Sequence, residues 1–198
     1  MYQKLIKRLF DLTVATSAFI LLSPLFLIIC LLIKIDSKGP IFFKQRRIGK
    51  NKSEFLILKF RSMKIDTPKD QPTHLLESPD QYITKMGKFM RKTSLDELPQ
   101  LINIISGKMS IVGPRPALYN QYDLIELRDE VGANDVRPGL TGWAQVNGRD
   151  ELPIDVKSKF DGEYIVNLSF KFDLMCILKT FKSVSTADGI VEGKTNND

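Results

Sequence analysis

Two adjacent carboxylates, Asp96 and Glu97, stand in the stretch RKTSLDELPQL at residues 91–101, beside the cations Arg91 and Lys92. A carboxylate can take up a phosphoryl group covalently as a nucleophile. Two together can hold Mg²⁺ that bridges to phosphate oxygens. The blander reading is a capping box, because Ser94 to Glu97 has the S-x-x-E form and acidic residues favour a helix's first turn. Pro99 argues against that register. With Ser94 as N-cap it is the fifth helical residue and deletes a backbone hydrogen bond, whereas with Asp96 as N-cap it lies in the first turn, where the N–H is free. The second register sets both carboxylates at the positive end of a helix over residues 95–105, an end that attracts phosphate.

Groups that could meet phosphate recur along the chain. KFRSM offers Lys59 and Arg61, GPRP presents Arg115 on a turn stiffened by Pro114 and Pro116, and RPGLTGWAQVNGR adds Arg137 and Arg149. Arginine forks suit phosphate oxygens, although a solvated surface charge is the commoner fate of any single one. Other chemistries are excluded. Two cysteines, Cys30 and Cys176, and one histidine, His74, cannot build a zinc site, a CxxC redox pair or a disulfide framework. There is no P-loop, GxGxxG, HExxH or GxSxG.

The elements that must position these residues belong to one domain. A chain of 198 residues, 43% apolar and 26% charged, is long enough for a real core without disulfide staples. The expected fold is α+β and mostly helical. IFFKQRRIG and EFLILKFRSM read as two short strands joined by a hairpin. Residues 66–81 read as a polar loop, 82–92 as a short helix, 110–116 as a strand running into a Gly/Pro turn, 118–131 as a helix and 136–149 as a Gly-dense loop. Residues 153–167 and 172–185 look helical. The latter has an apolar face of Phe172, Met175, Cys176, Leu178 and Phe181 flanked by Lys171, Lys179 and Lys182, which suits either a membrane interface or the core. The tail over 189–198 reads as disordered.

Before the hairpin, Leu12 to Ile33 form 22 residues without a charge, enough for a helix to cross a hydrocarbon core of roughly 30 Å. Ser23 and Pro24 sit in its middle, where proline kinks a helix. Each half is then roughly 16 Å long at about 1.5 Å per residue. Residues 1–64 carry 13 Lys and Arg against three acids, a balance of +10, while the remainder carries −4. Such asymmetry points to a polyanion, and the apolar run makes that an anionic membrane lipid surface and not nucleic acid. Both flanks of the run are basic, and the positive-inside rule puts both in the cytoplasm. A re-entrant helix-break-helix over residues 1–36 satisfies those charges better than a tilted, kinked spanning helix, which remains the alternative. Residues 37–188 then form a cytosolic domain at the membrane interface.

Six blocks in order, KRLFDL (7–12), SP (23–24), KFRSM (59–63), RKTSLDELPQLINII (91–105), MSIVGPRP (109–116) and RPGLTGWAQVNGR (137–149), give the chain a specific resemblance. Over essentially its whole length it resembles the bacterial sugar transferase family, the small monotopic phosphoglycosyl transferases that begin glycoconjugate synthesis on undecaprenyl phosphate. That resemblance implies that a UDP-sugar gives its phospho-sugar to an aspartate with loss of UMP, and that undecaprenyl phosphate then accepts it. Asp96 is the implied nucleophile, Glu97 its partner at Mg²⁺, and Lys59, Arg91 and Arg115 the phosphate contacts, with Arg137 and Arg149 in a loop facing the nucleotide. Asp161 falls where similar sequences carry an aspartate, without an assigned role. Ser23 and Pro24 fall on the family's break in a re-entrant helix. The implied location is the cytoplasmic face of the bacterial inner membrane, the implied pathway capsule, exopolysaccharide or glycoprotein glycan synthesis. The implied sugar is an N-acetylated hexosamine, 6-deoxy forms included. A homo-oligomer is left open. Competing readings are a UDP-releasing glycosyltransferase and a non-catalytic membrane adaptor whose dyad only caps a helix.

Overall fold

The long apolar run forms two helices. α1 (Lys7–Leu21) and α2 (Ser23–Asp36) meet at a bend of 61°. Pro24, in the first turn of α2, has no N–H to offer the preceding turn. The hydroxyl of Ser23 donates instead to the Ile20 carbonyl at 2.8 Å, the acceptor that residue 24 would otherwise have used. Among the described residues no single helix is long and apolar enough to cross a membrane, but the bent pair passes that test together. In this computed structural model residues 2–67, 81–148 and 152–186 are described. Most of the expected polar loop, Arg149 and the tail over 189–198 lie outside them.

Next come β1 (Phe42–Ile48) and β2 (Glu54–Phe60), an antiparallel pair with Phe42 opposite Phe60 and Ile48 opposite Glu54. Alternation puts Phe55, Ile57 and Lys59 on one face of β2. Phe55 and Ile57 are buried there with Ala15 of α1 and with Leu101, Ile104 and Met109. Phe60, on the opposite face, packs with Phe26, Ile29 and Ile33 of α2 and with Met90. The strand therefore lies between two apolar clusters, and Lys59 lies two residues beyond Ile57 on the face toward the first.

α3 (Lys85–Lys92) is capped by Thr84, whose hydroxyl accepts from the Gly87 N–H at 3.0 Å. Asp36, at the end of α2, accepts from Met86 N–H and ties the two helices. The helix expected over 95–105 is shorter than predicted. Leu95–Glu97 form a 3₁₀ turn, and α4 begins only at Gln100 (Gln100–Ile105), with Pro99 as its N-cap. Neither capping register forms: Ser94 is left-handed at φ 56° and makes no side-chain cap bond. That αL residue reverses the chain out of α3, and the i→i+3 bonding that follows is the geometry that accommodates Pro99 before an α-helix can start.

The Gly-dense block expected as loop contains structure that composition concealed. β4 (Gly139–Thr141) pairs in parallel with β3 (Ser110–Val112), and α6 (Trp143–Val146) follows it. The glycines serve a backbone crossing: a Cβ on Gly139 would overlap the Gly113 N–H and the Thr141 carbonyl. α5 (Tyr122–Glu130), α7 (Ile154–Val166) and α8 (Phe170–Thr186) complete a mostly helical α+β arrangement with a small hairpin, as the sequence predicts. α8 divides its apolar residues. Phe172, Cys176 and Ile177 join Val112 and Tyr164 in a third cluster, while Phe170, Leu174, Leu178 and Phe181 are exposed.

Gly139→Ala is expected to destabilise the fold by about 2 kcal/mol or more, because backbone and not a flexible side chain must give way. Thermal unfolding followed by Trp143 fluorescence checks this, and an unchanged midpoint would contradict the tight β3–β4 crossing.

Candidate functional site

The dyad sits where the first two clusters meet. Leu95–Glu97 rest on β2 and against α3, and the α4 core residues Leu101 and Ile104 anchor the turn from behind. Asn103 fixes the register between helix and strand. Its amide donates to the Leu56 carbonyl and accepts from the Leu58 N–H, each at 2.9 Å, so it continues the strand's own bonding pattern. The adjacent strand position on the core face is Lys59, and it rises beneath the carboxylates.

Lys59 Nζ donates to Glu97 Oε1 at 2.7 Å and lies 3.9 Å from Asp96 Oδ2. Arg115 Nη2 approaches the same Glu97 oxygen at 3.5 Å from the Gly113–Pro116 turn. Arg91, on α3, is near enough to act on Asp96 through its charge. Asp96 is buried, whereas the Arg115 side chain is 37% exposed, which orients the mouth of the site toward Arg115. The two carboxylates differ in electrostatics. Burial raises the Asp96 carboxyl, Lys59 opposes that rise, and the Glu97 charge adds to it. Burial would also raise Glu97, but Lys59 and Arg115 together outweigh it and hold that group at about 2. Neighbouring groups pushed apart in this way are fitted to different roles.

Of the residues singled out from sequence, Asp96, Glu97, Lys59, Arg91 and Arg115 come together. Arg137 lies elsewhere: its Nε donates to the Gly107 carbonyl just beyond the C-terminal end of α4. Arg61 is buried and donates to the Ser37 and Lys38 carbonyls, bracing the exit of α2. Arg149 lies outside the described residues. Ser23 and Pro24 mark the helix bend. Asp161 is paired with Arg128 on α5 and does not touch the dyad in any described contact.

Asp96 and Glu97 are hard oxygen donors, and Mg²⁺ is commonly held by one or two carboxylates together with substrate phosphates and water. The donor set therefore fits Mg²⁺ shared with a phosphate ligand. It is not a complete protein cage, since no group of three metal-ligating side chains occurs among the described residues.

Sequence reasoning passed over Asn103 and the inward-facing polar residues of α1. Lys7 pairs with Asp173, Asp11 accepts from the Ile111 N–H, and Arg8 donates to the carbonyls of Ile104 and Ile105. The spacing of Lys7, Asp11 and Ala15 by four was the available signal for a docked face, as a lone Asn among the apolar residues of QLINII was for the clamp.

Comparison with known proteins gives a consistent result. The sequence model of the bacterial sugar transferase family matches residues 2–187. The exopolysaccharide production protein ExoY of Sinorhizobium fredii is 39% identical over 197 residues, covering 92% of this chain and 87% of that protein. The uncharacterized sugar transferase EpsL of Bacillus subtilis is 38% identical, covering 94% and 90%. The UDP-glucose:undecaprenyl-phosphate glucose-1-phosphate transferase of Escherichia coli is 40% identical, covering 89% of this chain and 39% of that longer protein.

Carbon-detected titration of the side-chain carboxyls, with chelator present, is expected to find Glu97 ionised down to about pH 2 and Asp96 protonating above the usual aspartate range. Lys59→Ala removes the opposing charge and moves both upward. A pair titrating together near pH 4 would contradict this asymmetry.

Proposed function

The chain belongs to the bacterial sugar transferase family, and from that premise we propose that it moves a sugar-1-phosphate from a UDP-sugar to undecaprenyl phosphate with release of UMP, through a covalent aspartyl intermediate. The observation that carries the reading is the unequal dyad: a buried Asp96 with a raised carboxyl beside a Glu97 clamped by Lys59 and Arg115. The more basic carboxylate is the better nucleophile. Asp96 attacks the phosphorus that carries the sugar, the bond from that phosphorus to the bridging oxygen breaks, and UMP leaves with the electron pair. An oxygen of undecaprenyl phosphate then attacks the same phosphorus and releases Asp96, leaving a diphosphate-linked sugar. Lys59, Arg91 and Arg115 bind the phosphate oxygens and offset charge as it moves between them. Asp96 and Glu97 would hold Mg²⁺, which supplies charge neutralisation to the diphosphate.

The substrates meet at the level of the lipid headgroups. In this reading α1 and α2 enter and leave the same leaflet, with 15 and 14 residues on either side of the bend, each limb shorter than a hydrocarbon core of roughly 30 Å. The exposed Ile20, Leu21, Leu27 and Ile28 support burial of the bend in lipid, and Phe170, Leu174, Leu178 and Phe181 suit an interfacial helix. Exposed Lys34, Lys38, Lys44 and Arg46 suit an anionic inner leaflet. Lys7, Arg8 and Arg61 do not serve that purpose, because protein groups hold them. The proposed location is thus the cytoplasmic face of the bacterial inner membrane. The proposed sugar is an N-acetylated hexosamine; relatives carry names for glucose and for N-acetylgalactosamine.

With purified full chain in lipid, Mg²⁺ and undecaprenyl phosphate, a panel of UDP-sugars is expected to release UMP with one of them. Asp96→Asn is expected to lower turnover at least about a thousandfold, while removal of Mg²⁺ abolishes it. UDP as product would establish ordinary glycosyl transfer, and full turnover by Asp96→Asn would overturn the aspartyl intermediate. A single cysteine placed near residue 2 is expected to react with an impermeant reagent only from the cytoplasmic side, and periplasmic labelling would overturn re-entry.

A further inference from the structure

Arg115 sits on a turn with few means of holding itself. Pro114 and Pro116 flank it and supply no N–H donors. The segment is fixed largely through its carbonyls, which β4, β1 and α5 hold between them. The Pro114 carbonyl accepts from Gly139 N–H at 2.9 Å, the Pro116 carbonyl from Arg47 Nη1 at 2.9 Å, and the Ala117 carbonyl from Ile48 N–H at 3.0 Å. The carbonyl of Arg115 itself accepts from Arg128 Nη1 at 2.9 Å. Arg47 is a half-buried guanidinium, but Arg128 is fully buried and paired with a buried acid. It lies in the last turn of α5, 5% exposed, and its Nε and Nη2 both reach Asp161 Oδ2, at 2.7 and 2.6 Å, from the middle of α7, where Asp161 is 1% exposed.

Stability is a poor account of such a pair. Taking two charges out of water costs about what their attraction returns, and apolar residues of similar size often serve as well or better. Nor do α5 and α7 need it in order to meet, since the Ser158 hydroxyl on α7 already donates to the Leu127 carbonyl at 2.9 Å. What an apolar pair could not do is orient a peptide plane. The guanidinium is a rigid planar fork. With two of its nitrogens fixed on Asp161, the third is aimed at the Arg115 carbonyl. Fixing that carbonyl fixes ψ of Arg115, a residue already restricted by the proline that follows it, and with it the direction in which its side chain leaves toward Glu97.

We propose that Arg128 and Asp161 form a buried strut that positions Arg115 for the diphosphate of the donor. Neither residue touches substrate; both act through the backbone of Arg115. The proposal rests on the reading of Arg115 as a donor-phosphate contact. It gives Asp161, whose place in the chain carries no chemistry of its own, a function at a distance.

The test is the double substitution Arg128→Met/Asp161→Leu, which removes both buried charges together, assayed in the full chain in lipid for donor KM, kcat and melting temperature, with and without Arg115→Ala. The strut predicts a melting temperature close to that of the parent and a donor KM raised about tenfold or more, a misplacement effect, with the acceptor KM unchanged. In the Arg115→Ala background the double substitution is expected to add nothing further. A normal donor KM in the folded double variant overturns the proposal, as do losses that multiply with that of Arg115→Ala. Should the double variant not fold, Arg128→Lys keeps the charge facing Asp161 without the fork. The same donor-selective KM rise is expected of it, and a normal KM overturns the strut. If Arg115→Ala alone leaves the donor KM unchanged, the phosphate role of Arg115 fails and the strut fails with it, a result distinct from those in which only the strut fails.

Discussion

Two neighbouring carboxylates cannot be taken out of water as anions unless cations come with them. At Asp96 and Glu97 that requirement organises the rest of the molecule. Lys59 comes from the hairpin, Arg91 from α3 and Arg115 from the Gly/Pro turn, three segments that share no local contact in sequence. Lys59 is the central one, because it bonds Glu97 at 2.7 Å and lies 3.9 Å from Asp96, within reach of both members of the dyad. Its position follows from strand alternation: burying Phe55 and Ile57 against α4 obliges the residue two further along to face the dyad turn. Hydrophobic packing thus places the charge, and the charge makes the buried carboxylates tolerable.

The same economy governs the N-terminal helix. Besides its apolar contacts, α1 is docked by three polar side chains that each find a partner in the remainder of the fold: Lys7 on Asp173, Asp11 on the backbone of β3, and Arg8 on the terminal carbonyls of α4. The last of these matters for the dyad. A cation at a helix C-terminus satisfies orphan carbonyls and complements the dipole. Because α4 is only six residues long, holding its far end also holds the turn that carries Asp96 and Glu97. The segment read as a membrane anchor and the segment read as an active site are therefore consecutive parts of one packed unit.

Much of this was legible in the residues. The hairpin, the helix break and the long helices carry strong local signals: alternation over EFLILKF, a proline in an apolar run, helical periodicity. The adjacency of Asp96 and Glu97 and the recurrence of phosphate-binding residue types mark the candidate site in the sequence itself. What was not legible is long-range. β3 and β4 are three residues each and lie in stretches whose glycines read as loop, yet those glycines are there to let two backbones cross. The local rules for helix starts misplaced α4, since both capping registers assumed that the helix begins at the acidic residues, whereas Ser94 is left-handed and α4 starts after Pro99. Composition counted Lys7, Arg8 and Arg61 as surface charge because charge is usually solvated. Their burial depends on partners that lie from about 20 to more than 160 residues away.

The two cations on Glu97 are not equivalent, and the difference bears on how a phosphate could enter. Lys59 is bonded at 2.7 Å and is four-fifths buried, whereas Arg115 stands at 3.5 Å with 37% of its side chain exposed. The longer, more solvated pair is the weaker of the two, so exchanging the Glu97 oxygen for a phosphate oxygen costs less at Arg115 than it would at Lys59. Lys59 is held where it keeps Glu97 ionised and moderates Asp96, and moving it would leave two buried carboxylates to repel each other. Under the proposed function, an incoming diphosphate would be met first by Arg115 at the mouth, and Lys59 would reach it from within while keeping its bond to Glu97. Cations with the same charge thereby differ in freedom, and the difference follows from burial: the one that keeps the carboxylates apart in basicity is locked in, and the one that the proposed function sets against the substrate is not.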